Sequence, residues 1–237
     1  MINKIVNTAH EAVAEVFDGA TVMISGFGEA GSPIELIHAL IDHGAKELTV
    51  VSNNTGNGHI GLAALIGNKQ VRKMICSFPR TAHSVVFPEF YKNGAIELEL
   101  VPQGTLAERI RAGGAGIPAF YTPTSVNTPL AEGKEVKVID GKEYVLEYGL
   151  KADFALVKCR VADRHGNLLF NKTARNFGPV MCMAATSAIV QASKVVELGA
   201  LDPEIVVTPG IFVKKVVEIQ HPLSENELIK EGRRYPW

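Results

Sequence analysis

The stretch DGATVMISGFGEAGSP, residues 18–33, decides the architecture of this chain. An Asp18-Gly19 turn leads into the apolar run TVMIS, a strand by its β-branched and apolar content, and then into a loop with glycines at 26, 28 and 31. Ser32-Pro33-Ile34-Glu35 follows, read as a capping box with proline at the first helical position, and the helical pattern it opens stops at Gly44. Strand, glycine turn and helix in succession form the unit of a parallel α/β sheet. Such a unit aims unpaired backbone N–H groups and the positive end of a helix dipole at the top of the sheet, where an anion or a developing oxyanion would be held.

The glycine spacing is literally GxGxxG, which invites a dinucleotide reading. In that fold an Asp or Glu about 20 residues further on, at the end of the next strand, binds a ribose hydroxyl. Here Val51-Ser52-Asn53-Asn54 stands in that place, and Pro33 follows the third glycine by two residues. A nicotinamide oxidoreductase and a purely structural turn remain as alternatives, but the residues favour another ligand.

Outward from the loop, β-rich and helical runs alternate. Thr8 and Glu11 cap the helical pattern EAVAEVF. LTVVSN, VRKMICSF and IELELVP read as strands, separated by helical patterns around IGLAALI and from Val85 to Lys92. From Thr105 a short helix gives way to a long Gly- and Pro-rich loop reaching Gly133. VKVIDGKEYVLEY is a hairpin about Asp-Gly, and ADFALVKCRVADRHGNLLF reads as strand, turn, strand. The helix PVMCMAATSAIVQASK and strands around VVEL, IVVTPG and FVKKVVEI complete the pattern. The expected fold is α/β: a mostly parallel open sheet with crossover helices and a β-hairpin elaboration, forming one domain over residues 1–220. Residues 221–237 form a charged surface extension.

Composition removes several functions. The 237 residues carry 24 Lys and Arg against 25 Asp and Glu, a net charge of -1, and no basic cluster with interleaved aromatics, so nucleic acid is not an expected partner. No secretory leader and no membrane-length apolar run are read, and the chain is placed in the cytoplasm. Cys76, Cys159 and Cys182 are far apart without a CxxC pair, the reading of buried free thiols, and the seven histidines show no metal-ligand spacing.

DGATVMISGFGEAGSP resembles the signature of the A (alpha) subunit of family I CoA-transferases, through Asp18, Gly19, Val22, Met23, Ile24, Gly26, Phe27, Gly31 and Pro33. Ser25 stands where that family usually has a glycine. SNNTGNG, CSFPR, VPQGTLAERIRAGGAG, FYTPT, ADFALVK, NFGPVMCMAA and TPGIFV resemble family segments in the same order, through about Ile219. Asn53 to Gly58 and Ser77 to Arg80 are most similar to the branch acting on 3-oxoadipate, with the succinyl-CoA:acetoacetate branch next. The resemblance implies the CoA-transferase fold, related to that of sugar-phosphate isomerases. The implied reaction passes CoA from succinyl-CoA to a 3-oxo acid through an acyl-glutamyl anhydride and a glutamyl-CoA thioester, with CoA as substrate and no metal or resident cofactor.

In that family the nucleophilic glutamate lies on a B subunit, within a Ser-Glu-Asn-Gly stretch. Ser224-Glu225-Asn226-Glu227 lacks the glycine and reads instead as a capped surface helix with Ser224 at its N-cap. The chain is therefore expected to carry no catalytic nucleophile and to need a B subunit, as a heterodimer or an α2β2 assembly. Its own contribution is geometry. Ser25, Gly26, Phe27, Gly28, Glu29, Ala30 and Gly31 are the expected CoA-binding loop. Asn53, Asn54, Gln103 and Gly104, at strand ends on one edge, either donate to substrate oxygens or bond their own backbone. Arg80 either forks onto the distal carboxylate of a dicarboxylic acceptor or is a surface arginine. Arg109 and Arg111, with Glu108, either pair on a helix or meet CoA phosphates. A sugar-phosphate-binding regulatory module is a further alternative, because fold does not settle function.

Overall fold

Thr21–Ile24, TVMI, is a strand buried along nearly its whole length, and its alternating side chains feed two different cores. Val22 and Ile24 point to one face of a sheet and Met23 to the other, as the period-2 geometry of a strand requires. The computed structural model describes residues 2–237. Its first half contains β1 (Ile5–Val6), α1 (Ala9–Val13), β2 (Thr21–Ile24), α2 (Ile34–His43), β3 (Leu48–Val51), α3 (Gly61–Gly67), β4 (Val71–Cys76), α4 (Val86–Lys92), β5 (Glu97–Leu100) and α5 (Gln103–Gly114). The second half contains β6 (Ala119–Thr122), β7 (Val136–Ile139), β8 (Lys142–Tyr148), β9 (Ala152–Asp163), β10 (Leu168–Leu169), α6 (Gly178–Ala184), β11 (Ala185–Val196), β12 (Lys215–Glu218) and α7 (Glu225–Lys230).

The main sheet runs β1-β12-β11-β9-β2-β3-β4-β5, every neighbouring pair parallel, with β10 folded back antiparallel on β9. Helices α1 to α4 cover one face around Leu36, Leu40, Leu65 and Val86, while α5 and α6 cover the other around Leu106, Ile110 and Met181. This is the α/β fold with a mostly parallel sheet that the strand-helix alternation predicts. Gly44 ends α2 in the left-handed conformation (φ 84°), as read from the sequence. Thr8 caps α1, its Oγ1 accepting from Glu11 N–H at 3.0 Å.

Five expectations need correction. First, the predicted helix 179–194 is helical only at its start, and Ala185–Val196 is the strand β11, between β9 and β12 in the sheet. Its central residues, Ser187 to Ala192, are all buried, the polar Ser187 and Gln191 included, so polar positions do not mark a solvent face, and Ile189, Val190, Val195 and Val196 favour the strand. Second, the long loop after α5 contains β6, which joins β8 and turns the Asp140-Gly141 hairpin into a three-stranded sheet. Third, only Val195 and Val196 of VVEL are in a strand, as the end of β11, and the IVVTPG stretch makes one bridge, Thr208 to Leu168, between 3-10 turns at Pro203–Ile205 and Gly210–Phe212. Fourth, Pro33 rather than Ser32 occupies the N-cap of α2, without a side-chain cap. Fifth, α7 opens as read, with Ser224 accepting from Glu227 N–H, and Asn226, Glu227 and Lys230 are exposed, but its other face is packed, Glu225 being 5% exposed and Leu228 8%.

Candidate active site

Four parallel strands, β2 to β5, end on one edge of the sheet, and the chain that leaves each of them bends around one cavity of about 450 Å3. Its walls are Phe27 and Gly28 after β2, Asn53 and Asn54 after β3, Ser77, Phe78 and Thr81 after β4, and Gln103 at the start of α5. Ligands of open α/β sheets bind at such C-terminal strand ends.

Asn53 is the centre of this wall. It is 3% exposed, and its Oδ1 accepts from Ser77 Oγ at 2.7 Å and from Gln103 Nε2 at 2.9 Å. Its backbone carbonyl accepts from the N–H groups of Ser77 and Phe78. With Oδ1 saturated, the amide orientation is fixed and Nδ2 remains the donor with no hydrogen bond among the described residues. Asn54 Oδ1 accepts from Gly56 N–H at 2.9 Å, an Asx turn that shapes the loop, and its Nδ2 likewise has no hydrogen bond among the described residues. Gly104 lies in the first turn of α5, where an added Cβ would meet nothing within 4 Å.

The glycine loop divides between surroundings. Ser25 is 2% exposed and faces inward, its Oγ donating to Gly31 O at 2.7 Å and accepting from Lys158 N–H at 3.3 Å. It closes the loop rather than meeting a ligand, and its φ is not positive. Gly26 N–H donates to Asn176 Oδ1, and Phe27 N–H to Ala30 O. Gly28 N–H has no partner among the described residues, and Gly28 lines the cavity. Glu29, Ala30 and Gly31 lie on the loop's other side, around a second cavity of about 310 Å3 with Lys158 and Arg160.

The expected anion site at the start of α2 is not open. Pro33 has no N–H, Leu36 N–H donates to Gln191 Oε1 at 3.3 Å, and Gln191 Nε2 donates to Glu35 Oε2 at 2.6 Å. Among the described residues, the donors without a partner that line the cavity include Gly28 N–H and the Nδ2 groups of Asn53 and Asn54, and no residue of the α2 terminus lines it. Arg80 is exposed, makes no ion pair among the described residues and does not line the cavity, although Phe78 and Thr81 on either side do. Arg111 pairs with Glu108, and Arg109 donates to Glu99 and to Tyr148 O, so both take the pairing alternative. Cys76, Cys159 and Cys182 are free and buried, and burial pushes the thiols of Cys76 and Cys182 up to about 12, far from the thiolate a nucleophile requires.

Sequence reasoning does not single out Ser77, Phe78 and Thr81 as site residues, although the strand-end rule that selects Asn53 selects them equally. Lys158 and Arg160 escape it as well. Their signal is a pair of cations inside VKCRV, an otherwise apolar run of a buried strand.

A parallel α/β sheet with amide and hydroxyl side chains gathered at its C-terminal strand ends is the arrangement in which open α/β proteins hold small ligands. Residues 6–219 match the family model described as Coenzyme A transferase, and the chain belongs to that family. It is 59% identical over 219 residues to the A subunit of 3-oxoadipate CoA-transferase from Pseudomonas putida, covering 92% of this chain and 95% of the relative. It is 50% identical over 216 residues to the A subunit of the probable succinyl-CoA:3-ketoacid coenzyme A transferase from Bacillus subtilis strain 168, covering 91% and 90%. The acyl-CoA transferase of Escherichia coli O157:H7, solved as a thioester complex with CoA, superposes with a TM-score of 0.82 at 22% identity, over 94% of this chain and 50% of its own. Glutaconate coenzyme A-transferase of Acidaminococcus fermentans gives 0.78 at 19%, over 93% and 78%. At those identities the likeness concerns the fold. Among the described residues no helix is long and apolar enough to cross a membrane.

Proposed function

We propose that this chain is the A half of a two-subunit CoA-transferase that moves CoA from succinyl-CoA to a 3-oxo acid, 3-oxoadipate foremost, with the glutamate nucleophile supplied by a B subunit. The observation that carries this is the make-up of the cavity. Its lining holds amide and hydroxyl groups and no carboxylate, and its rim holds two aromatics, Phe27 at 53% and Phe78 at 57% exposure. Exposed aromatics beside a polar site suit a partner surface that completes it.

When a carboxylate attacks the thioester, charge grows on the acyl oxygen and the CoA thiolate leaves. Donors fixed before that moment lower the barrier most. Asn53 Nδ2, held by Ser77 and Gln103, and Gly28 N–H are the groups this chain offers for that oxygen. Arg80, beside the rim, is the cation for the far carboxylate of a dicarboxylic acceptor. Acetoacetate is the second reading of the acceptor, in keeping with relatives named for a 3-ketoacid.

The test is transfer from succinyl-CoA to 3-oxoadipate and to acetoacetate, with this chain alone and with its B subunit. Activity only in the mixture supports the half-site, and the ratio of rates selects the acceptor. Activity of the isolated chain would overturn the assignment of the nucleophile and return attention to Glu225.

A further inference from the structure

We propose that Glu225 is a positioning residue of the site, through which the C-terminal segment holds the two walls of the cavity in register. The segment lies beyond residues 6–219, the extent of the family match. It nevertheless packs on the wall-forming loops. Ser224 Oγ donates to Glu29 Oε1 at 2.6 Å and Asn226 Nδ2 donates to Glu29 Oε2, which fastens the start of α7 to the glycine loop. One residue from each, Glu225 accepts from Asn57 N–H at 3.1 Å, which fastens α7 to the loop after β3. The two fastened loops are those carrying Phe27–Gly28 and Asn53–Asn54, the opposite walls of the 450 Å3 cavity.

The contact continues toward the site. Asn57 Oδ1 accepts from Thr81 Oγ1, and Thr81 lines the cavity. Ser84 Oγ donates to Gly56 O at 3.1 Å, so the loops after β3 and β4 are tied together. Glu225 also lines a gap of about 10 Å3 among Ser25, Gly26, Gly28, Ser52 and Asn54, space for at most one water. A carboxylate 5% exposed, with Glu29 close by, is a costly group to place there unless it is paired. Further out, Tyr235 N–H donates to His59 O at 2.9 Å, Tyr235 OH donates to Asp42 at 2.7 Å, and the Tyr235 ring stacks on His38 at 3.7 Å between centroids. Gly58 sits so close to α7 that an added Cβ would lie 2.9 Å from Ile229. The segment is thus seated along its length, and Glu225 is the member that faces the site.

The inference rests on the transferase reading, and its test has one arm that does not. In the complex with the B subunit, Glu225→Ala is expected to lower kcat about tenfold with either KM changed less than about threefold, because a loosened wall misplaces donors needed in the transition state. Glu225→Gln keeps an acceptor for Asn57 N–H and is expected to stay within about threefold of wild type. Glu225→Asp, which keeps the charge but shortens the reach, is expected to fall between them and serves if the alanine variant does not fold. In the isolated chain, amide exchange across residues 53–58 is expected to accelerate in the alanine and aspartate variants and not in the glutamine variant. Wild-type kcat in the aspartate variant, or a loss in the alanine variant matched by its loss of folded protein, would overturn the proposal. Unchanged exchange in both variants would overturn it whatever the acceptor proves to be.

Discussion

Gln103 Nε2 donates to Asn53 Oδ1 across 2.9 Å, joining the first residue of α5 to the residue two positions beyond β3. β4 lies between the strands these residues follow, and Ser77 from its end bonds the same oxygen at 2.7 Å. Three strand ends therefore converge on one amide and leave its Nδ2 as the free donor. Asn53→Ala is expected to lower kcat by about 100-fold, the scale of losing one oxyanion donor. Gln103→Ala, which only loosens the amide, should cost about tenfold. Steady-state kinetics of the reconstituted pair decide this, and a rise in KM alone would assign Asn53 to ground-state binding.

Arg80 is exposed beside the rim and has no ion-pair partner among the described residues, so it is free to meet an anion. Arg80→Ala should raise KM for 3-oxoadipate about tenfold and for acetoacetate less than twofold, since only the first has a second carboxylate to lose. Parallel KM measurements with the two acceptors check it. Equal losses would remove Arg80 from specificity.

Gly28 and Gly31 both have positive φ, 59° and 81°, but only one is crowded. A Cβ on Gly31 would lie 2.4 Å from Ala174 O, whereas one on Gly28 would meet nothing within 4 Å. Gly31→Ala should destabilise by about 3 kcal/mol through combined backbone strain and overpacking. Gly28→Ala should cost about 1 kcal/mol of stability, yet reduce kcat/KM more than that loss explains, because its methyl enters the cavity. Urea denaturation alongside kinetics separates the two effects.

His38 is buried, accepts from Gly61 N–H at Nε2 over 3.0 Å, and is held by burial at a pKa of about 4 despite the nearby Asp42 carboxylate. An unfolded histidine titrates near 6.5, so between about 6.5 and about 4 the unfolded chain binds a proton that the fold refuses. Stability from this group is complete above about 6.5 and is lost as the pH falls through that window. Glu225, raised by burial, acts with the opposite sign. His38→Gln keeps an acceptor and removes the proton site. Between pH 7 and pH 5 its Tm should therefore drop about 5 °C less than that of wild type, from ~2 kcal/mol of linkage. Identical pH slopes would show that His38 titrates in the fold.

Much of the fold was legible because its signals are local. The Gly44 stop, the Asp140-Gly141 hairpin and the strands leading to Asn53 and Ser77 are specified within a few residues by turn chemistry and side-chain period. The candidate site was legible in outline, as strand-end amides beside a glycine loop. The failures have physical reasons. Ser187 to Ala192 is buried throughout, its polar Ser187 and Gln191 included, so no alternation of exposed and buried residues marked the helix-strand choice. Ser25 sits at the head of the loop but is turned inward by Gly31 O and Lys158 N–H, and the partner of a hydroxyl is not written beside it.

The sequence by itself determined the strand-loop-helix units, the membership of the Coenzyme A transferase family and the residue types at the strand ends, since each is encoded by contiguous residues or by their order. Only the tertiary structure decided which amide is clamped by side chains from neighbouring strand ends, which face of the glycine loop meets the cavity, and that a charged tail is seated on the loops around it. Those outcomes depend on contacts between residues 50 apart, as for Asn53 and Gln103, or 168 apart, as for Asn57 and Glu225. Such pairs meet only when the whole chain closes its loops, and the burial that fixes them is a property of the assembled core rather than of any segment.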